Sequence, residues 1–339
     1  MAAMRSRRRR RAWPVLLGSA AALLAALAAA WWLMFGQTAE AAVVRRDAPL
    51  SSADDTSESA AGAGEVLQNG VRYRYNQNLD TVLFLGIDDN DVAAETNTAL
   101  MGGNGFSDMM LLMILDNEHQ TVRMLQISRD CMMDIDVYDA FGRSLGVVHQ
   151  QLCYQYSYGT GRANGNWLAK NKVSELLYGV PVQAALSLKM EAVAPMVDLL
   201  GGLNITVPQD YTAIDPAFAA GAQLTMTGAQ AYRYVRYRDI EELGSNNDRM
   251  ARQTQVLLAL VQKLQSGGSA LAEQLQNFAQ PYMESDLDAE TIQKLTRYAP
   301  DTELRKVPGQ TEAGTHDEYI VDEAALRAMV IELFYQPVA

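Results

Sequence analysis

Long apolar runs separated by polar turns predict most of the strands of this chain. Continuous apolar segments of this length are typical of buried strands. They occur at 81–87, 109–115, 121–128, 184–190 and 203–207. The polar turn at 116–119 joins the second and third of these runs, so residues 109–128 are expected to form a hairpin.

Apolar residues at helical spacing predict helices between and after these strands. Thr227 is expected to cap a helix that starts at Gly228, and Asn247 or Asp248 a longer helix. Other helices are expected near 148–158, 166–178, 270–278, 288–298 and 322–334. Because strands and helices alternate while the hairpin is antiparallel, we expect an α/β fold, a single layered α/β/α domain with a mixed central sheet.

The N-terminal 35 residues have a different pattern. Residues 12–35 contain no charged side chain, and this length suits a helix across about 30 Å of hydrocarbon. Six arginines lie in residues 1–11, which predicts a basic cytoplasmic N-terminus and an extracellular remainder. The alternative is a cleaved signal peptide, although such peptides usually have shorter apolar cores. We therefore expect one transmembrane anchor ahead of the folded domain.

Composition divides the rest of the chain into three parts. Residues 36–78 are rich in small and acidic residues and predict a disordered extracellular linker. Residues 79–266 contain the predicted sheet and are expected to form the main folded domain. Residues 267–339 are expected to form a C-terminal helical extension that packs on this domain.

The charge of the chain argues against nucleic acid as a partner. The 28 basic and 40 acidic side chains give a net charge of −12, and removing the six N-terminal arginines leaves −18 on the remainder. A protein domain with a large negative net charge is repelled by the phosphate backbone of a nucleic acid. Two cysteines and three histidines exclude a structural zinc site or an iron–sulfur cluster. Cys131 and Cys153 are compatible with either a disulfide or two free thiols.

Charged residues follow or precede three of the predicted strands. Asp88 follows the first strand, Asp108 precedes the second, and Arg129 and Asp130 follow the third. Loops at the ends of strands build the sites of open α/β sheets. In the predicted hairpin, the start of the second strand and the end of the third share one edge of the sheet. We therefore expect these four side chains to lie close together.

A second cluster of arginines lies between 233 and 253. Arg236 and Arg238 are two residues apart and are expected to face one side of an extended segment, while Arg249 and Gln253 share a helix face. Guanidinium forks bind phosphate oxygens two bonds at a time. Nearby carboxylates suit a magnesium ion that bridges phosphates. The combination indicates phosphoryl transfer, and the alternative on spacing alone is a solvated charged loop.

At these residues the chain resembles a known family. The segments LFLGIDDN, FSDMMLLMI, LQISRDCMMDI, QLCYQYSYG, MVDLLGGLNITV, LTMTGAQAYRYVRYRD and NDRMARQTQVLLAL are similar in order and content to motifs of the LytR–CpsA–Psr family. The resemblance covers about 79–264, and the tail resembles the C-terminal extension of clostridial-type members. It implies that 79–266 is a catalytic domain outside the cell membrane of a Gram-positive bacterium.

The resemblance implies a Mg2+-dependent phosphotransferase that moves a glycopolymer from a polyprenyl-pyrophosphate carrier to peptidoglycan, with no nucleotide. It implies that Asp88 and Asp108 hold the metal. The implied pyrophosphate ligands are Arg129, Arg236, Arg238, Arg249 and Gln253. The implied catalytic set is Asp88, Asp108, Arg129 and Arg238. An acidic side chain near the arginines would act as the base.

Three positions depart from the family pattern, and two of them are Phe106 and Gln151, where the family often has Arg and Lys. Asn246 stands where the family often has Asp, three residues before Arg249, and Asp248 is nearby as a substitute.

Two other functions stay open at this point: a non-catalytic regulator that binds polyprenyl phosphates or wall polymers, and a pyrophosphatase acting on the lipid carrier. The presence of both Asp88 and Asp108 favours the transferase over the regulator. Transfer and hydrolysis share their first half and have the same sequence signature.

Overall fold

The computed structural model describes residues 65–88, 104–139, 141–239, 241–314 and 316–338. The expected basic N-terminus, the anchor at 12–35 and most of the expected linker lie outside these ranges. Within the described part of the chain, no helix has both the length and the apolar character needed to span a membrane.

The described part of the chain contains both strands and helices, and seven strands precede the first helix. The strands are β1 (Glu65–Gln68), β2 (Val71–Tyr75), β3 (Leu79–Asp88), β4 (Phe106–Asp116), β5 (Thr121–Ile127), β6 (Met132–Tyr138), β7 (Ser144–Gln151), β8 (Ala184–Lys189), β9 (Leu203–Thr206), β10 (Gln223–Met226), β11 (Met283–Ser285), β12 (Ala299–Lys306), β13 (Gly309–Ala313), β14 (Asp317–Val321) and β15 (Tyr335–Pro337). The helices are α1 (Tyr154–Ser157), α2 (Arg162–Leu176), α3 (Val193–Leu199), α4 (Gly228–Arg236), α5 (Ser245–Ala279), α6 (Ala289–Arg297) and α7 (Glu323–Phe334).

A mixed six-stranded sheet of order β11-β8-β3-β4-β5-β12 forms the centre of the fold. The β3–β4 and β4–β5 pairs are antiparallel, whereas β3–β8 and β5–β12 are parallel. The expected hairpin at 109–128 and the expected strands at 81–87 and 184–190 are therefore confirmed. The mixed α/β fold is also confirmed.

Alternate residues of the central strands face two separate apolar layers. On β4, Leu111 and Met113 pack with helices α3 to α6, while Leu112 and Ile114 pack with α1, α2 and α7. Strands covered on both faces lose the polar alternation of a half-exposed strand, which explains the continuous apolar runs. Burying each large aliphatic side chain contributes about 1.5–3 kcal/mol, so this sheet is a firm base for the charged residues at its edge.

The described residues differ in two ways from the expected division of the chain. Strands β1 and β2 lie inside the segment expected to be a disordered linker. They pair with each other as a hairpin across a turn at Asn69 and Gly70, and the C-terminal strand β15 adds to β2 on its other side. The C-terminal extension is also not purely helical, since it supplies both edge strands of the central sheet, β11 and β12.

Two local expectations were wrong, and one confirmed strand lies outside the central sheet. The helix expected near 148–158 is mostly strand β7, which pairs with β6, followed by the short helix α1. Strand β9 pairs only with β10 and stays outside the central sheet. The long helix begins at Ser245, earlier than either expected cap. In contrast, Thr227 caps α4 as expected, and its hydroxyl accepts a hydrogen bond from the backbone N–H of Gln230.

Candidate anion-binding site

A bulge at the start of β4 sets the position of Asp108. Gly86 pairs with Met109, but Ile87 pairs with Ser107, so Asp108 is an extra residue with no opposite partner on β3. Bulges of this kind redirect a side chain and are common beside active sites. The side chain of Asp108 therefore does not follow the regular alternation of side chains between the two faces of β4.

Asp108 lies between two buried arginines. Its Oδ1 accepts a hydrogen bond from Arg129, just beyond the end of β5, and its Oδ2 accepts one from Nη1 of Arg249 on α5 at 3.0 Å. All three side chains are largely buried, with exposed fractions of 6%, 12% and 7% in the order Asp108, Arg129, Arg249. One carboxylate thus faces two guanidinium groups.

One face of α5 carries polar groups toward this pair. Asn246, Arg249 and Gln253 are spaced by three and four residues, which places them on one side of the helix. Oδ1 of Asn246 accepts a hydrogen bond from Nη2 of Arg249 at 2.7 Å. Nδ2 of Asn246 and Oε1 of Gln253 are buried and have no hydrogen-bond partner among the described residues. Unpaired buried polar atoms beside two arginines are consistent with a site that a polar ligand completes.

Asp88 and Arg236 form a second pair at the same edge of the sheet. Asp88 ends β3, and its Oδ2 lies 3.4 Å from Nε of Arg236, the last residue of α4. Nη1 of Arg236 donates a 2.6 Å hydrogen bond to the hydroxyl of Tyr232 one helical turn earlier. Arg236 is therefore helical and not part of an extended segment, which corrects the expectation for this residue.

Arg238 takes a different direction from Arg236. Nη2 of Arg238 donates to Oδ2 of Asp317 at 2.7 Å, and Nε donates to the hydroxyl of Ser245 at 3.3 Å. The same Oδ2 of Asp317 accepts from the backbone N–H of Gly244 at 3.2 Å. Gly244 has a φ of 77°, a left-handed conformation that favours glycine, and it precedes the first residue of α5.

Asp317 is a member of the site that sequence reasoning missed. It begins β14, and 79 residues separate it from Arg238. Gln151 connects it to the rest of the site, because Nε2 of this glutamine donates to Oδ1 of Asp130 at 3.0 Å and to the backbone oxygen of Asp317 at 2.7 Å. No sequence motif marks Asp317, and only the fold of the C-terminal segment brings it here.

The arginines influence one another's protonation. Burial lowers the pKa of Arg249, the positive charges of Arg129 and Arg238 lower it further, and Asp108 opposes them. Burial also raises the pKa of Asp130, against the lowering effect of the same arginines. The positive charges of Arg129 and Arg238 therefore act on Arg249, and Asp108 offsets part of their effect.

Arg252 and Asp248 belong to the support of the site and not to the site itself. Arg252 donates to the backbone oxygen of Tyr234 at 2.8 Å and pairs with Asp248 at 2.8 Å. Asp248 also accepts hydrogen bonds from Gln209 and Tyr211. Both of its oxygens are thus used in structural bonds, so the structure argues against Asp248 as a substitute for the missing acid at Asn246.

The number of carboxylates at the site can be compared with what a metal ion requires. No group of three or more His, Cys, Asp or Glu side chains suited to a metal occurs in the described ranges. Magnesium, however, is usually held by one or two carboxylates together with substrate phosphates and water. Asp88 and Asp108, on adjacent strands, match that smaller requirement.

Cys131 and Cys153 are both buried free thiols, so the disulfide alternative is not formed. Sγ of Cys153 accepts a hydrogen bond from Nη2 of Arg129 at 3.0 Å. Burial is the main cause that raises the pKa of Cys153 to about 12. The thiol therefore stays protonated at neutral pH and helps to seat Arg129.

Comparison with family models and comparison with known protein sequences give related matches. The model of the LytR_cpsA_psr family matches residues 43–333. TagV of Bacillus subtilis (strain 168), named polyisoprenyl-teichoic acid–peptidoglycan teichoic acid transferase, is 24% identical over 197 residues, which are 56% of this chain and 44% of TagV. TagU of Bacillus mycoides (strain KBAB4), which carries the same transferase name, is 27% identical over 159 residues, 47% of each chain. The matches thus span less than half of these relatives.

Solved structures share the fold. A structure of TagT bound to LI-WTA superposes with a TM-score of 0.54 and 21% identity, over 76% of this chain and 90% of TagT. The crystal structure of B. subtilis TagU gives a TM-score of 0.52 and 19% identity, over 76% of this chain and 96% of TagU. At these identities the likeness supports the mixed α/β architecture alone.

Proposed function

We propose that this chain, which belongs to the LytR_cpsA_psr family, is a membrane-anchored extracellular phosphotransferase. It moves a glycopolymer from a polyprenyl-pyrophosphate carrier to peptidoglycan and forms a phosphodiester. The observation that carries the proposal is the buried cluster in which Asp108 contacts both Arg129 and Arg249. The transferase names of TagV and TagU give the substrate class its support.

The arginines account for the choice of a pyrophosphate. Arg129 and Arg249 come from different elements and converge on one point, where they can bind two oxygens of a phosphoryl group. Arg236 and Arg238 are the other two arginines of the site, and each forms an ion pair with a carboxylate. Planar forks with fixed direction suit such oxygens better than lysine does, because each fork makes two parallel bonds.

In the reaction, a hydroxyl of the acceptor sugar attacks the phosphorus that carries the glycopolymer. The new O–P bond forms as the bond to the bridging oxygen breaks, and polyprenyl phosphate leaves. Negative charge moves onto the leaving phosphate in this step. Preorganised guanidinium groups stabilise that charge without reorganising, which is the largest contribution in phosphoryl transfer.

Asp88 and Asp108 are the residues that would hold Mg2+ beside the pyrophosphate. Bound there, the ion would neutralise phosphate charge that the arginines do not reach. For Asp108 this role requires that its carboxylate be shared between the ion and the two arginines. The substrate phosphates would in turn become partners of those arginines, so the total number of charge-assisted bonds is kept.

The proposal is tested by incubating the full chain in detergent with a polyprenyl-pyrophosphoryl oligosaccharide, Mg2+ and peptidoglycan fragments. Mass spectrometry should find the oligosaccharide joined to the fragments by a phosphodiester, and a chelator should abolish this product. The Arg249→Gln variant should lose it as well, whereas Arg305→Gln, which removes a surface arginine paired with Glu332, should keep it. Donor binding without any product would support the regulator, and free sugar phosphate alone would support the pyrophosphatase.

A further inference from the structure

We propose that Asp317 is the general base of this site, supplied by the hairpin of β13 and β14 in the C-terminal segment. This inference rests on the proposed transferase function and adds a residue that the family resemblance does not provide. The position expected to carry the acid is Asn246, whose amide oxygen accepts hydrogen bonds from Nε and Nη2 of Arg249. An amide cannot take a proton from a sugar hydroxyl at neutral pH, so the site needs a carboxylate from elsewhere.

The hairpin is held firmly against the site. The backbone N–H of Tyr319 donates to the backbone oxygen of Asp130 at 2.8 Å, and the Tyr319 hydroxyl donates to the backbone oxygen of Val307 at 2.8 Å. Nδ2 of Asn247 donates to Thr311 on β13 at 3.4 Å. The backbone of Asp317 itself is fixed by Gln151. The start of β14 is thus bound on several sides.

Asp317 presents one fixed oxygen and one available oxygen. Oδ2 accepts hydrogen bonds from Nη2 of Arg238 and from the backbone N–H of Gly244. Oδ1 accepts none from the described residues. The side chain is 12% exposed, so it borders the site without being sealed in it. A base needs this arrangement, in which one oxygen orients the group and the other receives the proton.

Arg238 places Asp317 next to the expected phosphoryl group. One guanidinium nitrogen binds Asp317, and Nε binds Ser245. The remaining N–H groups of this fork can bind a phosphate oxygen, which would then lie about one guanidinium width from the carboxylate. A hydroxyl that attacks this phosphorus would approach within reach of Oδ1.

The other carboxylates of the site are occupied. Asp108 uses both oxygens for arginines, and Asp248 uses both for structural bonds. Asp130 is 2% exposed and accepts from Gln151. Asp88 faces Arg236 and is the second proposed metal ligand. Of the acids in the described site, Asp317 therefore fits the role best.

In the proposed step, Oδ1 of Asp317 takes the proton of the acceptor hydroxyl as the hydroxyl oxygen bonds to phosphorus. The bond from phosphorus to the bridging oxygen breaks, and its electron pair leaves with polyprenyl phosphate. The proton then passes from Asp317 to water or to the departing phosphate. No oxidant, reductant or additional reactant is required.

The test compares three variants of the full chain in detergent, with the polyprenyl-pyrophosphoryl oligosaccharide as donor and peptidoglycan fragments as acceptor. Asp317→Asn keeps an oxygen for Arg238 and Gly244 but loses the proton acceptor. Its single-turnover rate should fall by about 10²- to 10⁴-fold, the usual contribution of a general base. Its affinity for inorganic pyrophosphate should stay within about threefold of the parent, since the arginine positions are kept. Glu318→Gln, the same change at the next residue of β14, should leave both quantities unchanged.

Chemical rescue separates a base from a structural residue. Asp317→Gly opens room for a small carboxylate, so added formate should restore its transfer rate at least tenfold. Absence of rescue would overturn the assignment, and so would an Asp317→Asn rate within threefold of the parent. A faster Asp317→Asn variant would also overturn it, because Asp317 would then be competing with substrate for Arg238. If the parent chain itself transfers nothing, the proposed function fails, which is a different result from failure of Asp317.

Discussion

Replacing Asp108 by alanine should destabilise the protein strongly. The change removes the carboxylate that Arg129 and Arg249 share, and all three side chains are largely buried. Arg129 then keeps Asp130 at 3.4 Å, while Arg249 keeps only the amide oxygen of Asn246. Removing one partner of a buried ion pair costs about 3–5 kcal/mol. Since domains unfold at about 5–15 kcal/mol, the loss is a large share of the total.

The assay is chemical denaturation of the Asp108→Ala variant, with and without inorganic pyrophosphate. The arginines left without a partner should bind the anion, and at a hundred times its Kd the variant should regain about 2.7 kcal/mol. Glu332→Ala is the control, because Glu332 pairs with Arg305 on the surface at 2.8 Å. Such exposed pairs contribute about 0–1 kcal/mol. A loss below 1 kcal/mol for Asp108→Ala, with no response to pyrophosphate, would refute the reasoning.

The other predictions concern a clamp residue, a turn and the two thiols. Arg238→Lys should slow transfer about ten- to a hundredfold through loss of a charge-assisted fork, whereas Arg233→Lys, half-exposed on α4, should change it little; equal rates would exclude the phosphate clamp. Asp116→Asn should lower stability by about 1 kcal/mol at pH 7. Burial raises the pKa of Asp116, but hydrogen bonds from the β4–β5 turn outweigh burial and lower this pKa below its ordinary 3.8. The stabilisation is therefore present above pH 3.8 and is lost as pH falls through the lowered pKa. Denaturation at pH 7 and pH 3 measures it, and an equal deficit at both would contradict it. Cys131 and Cys153 should resist thiol labelling in the native protein and give two labels per chain after denaturation without reductant; fewer labels would mean that they are linked.

The elements that sequence predicted well are those whose pattern is set by local burial. The apolar runs of β3, β4 and β8 reflect strands covered on both faces, and that signal is present in any short window. Strands β2 and β12 gave no such signal. Strand β2 pairs with its neighbour β1 and also with the distant β15, whereas β12 is held in the central sheet by pairing with the distant β5. Pairing with a distant segment has no local signature.

The residues of the site also divide into those that local sequence could predict and those that depend on distant contacts. Asp88, Asp108, Arg129 and Arg249 could be named because they lie in motifs and at strand ends. Sequence spacing misjudged Arg236 and Arg238, since a helix end between them sends the two side chains to different acids. Asp317 lies in a polar stretch that resembles ordinary surface sequence. Its role depends on the docking of the C-terminal hairpin, which only the folded structure shows.

The central claim is that this arginine cluster transfers a phosphoryl-linked glycan to a sugar hydroxyl and not to water. The most direct measurement runs the reaction of the full chain with carrier-linked oligosaccharide, Mg2+ and peptidoglycan fragments in water enriched in oxygen-18. The account predicts a phosphodiester-linked product whose phosphate contains no oxygen-18. Recovery of the oligosaccharide phosphate with one oxygen-18 atom, and without linked peptidoglycan, would contradict it.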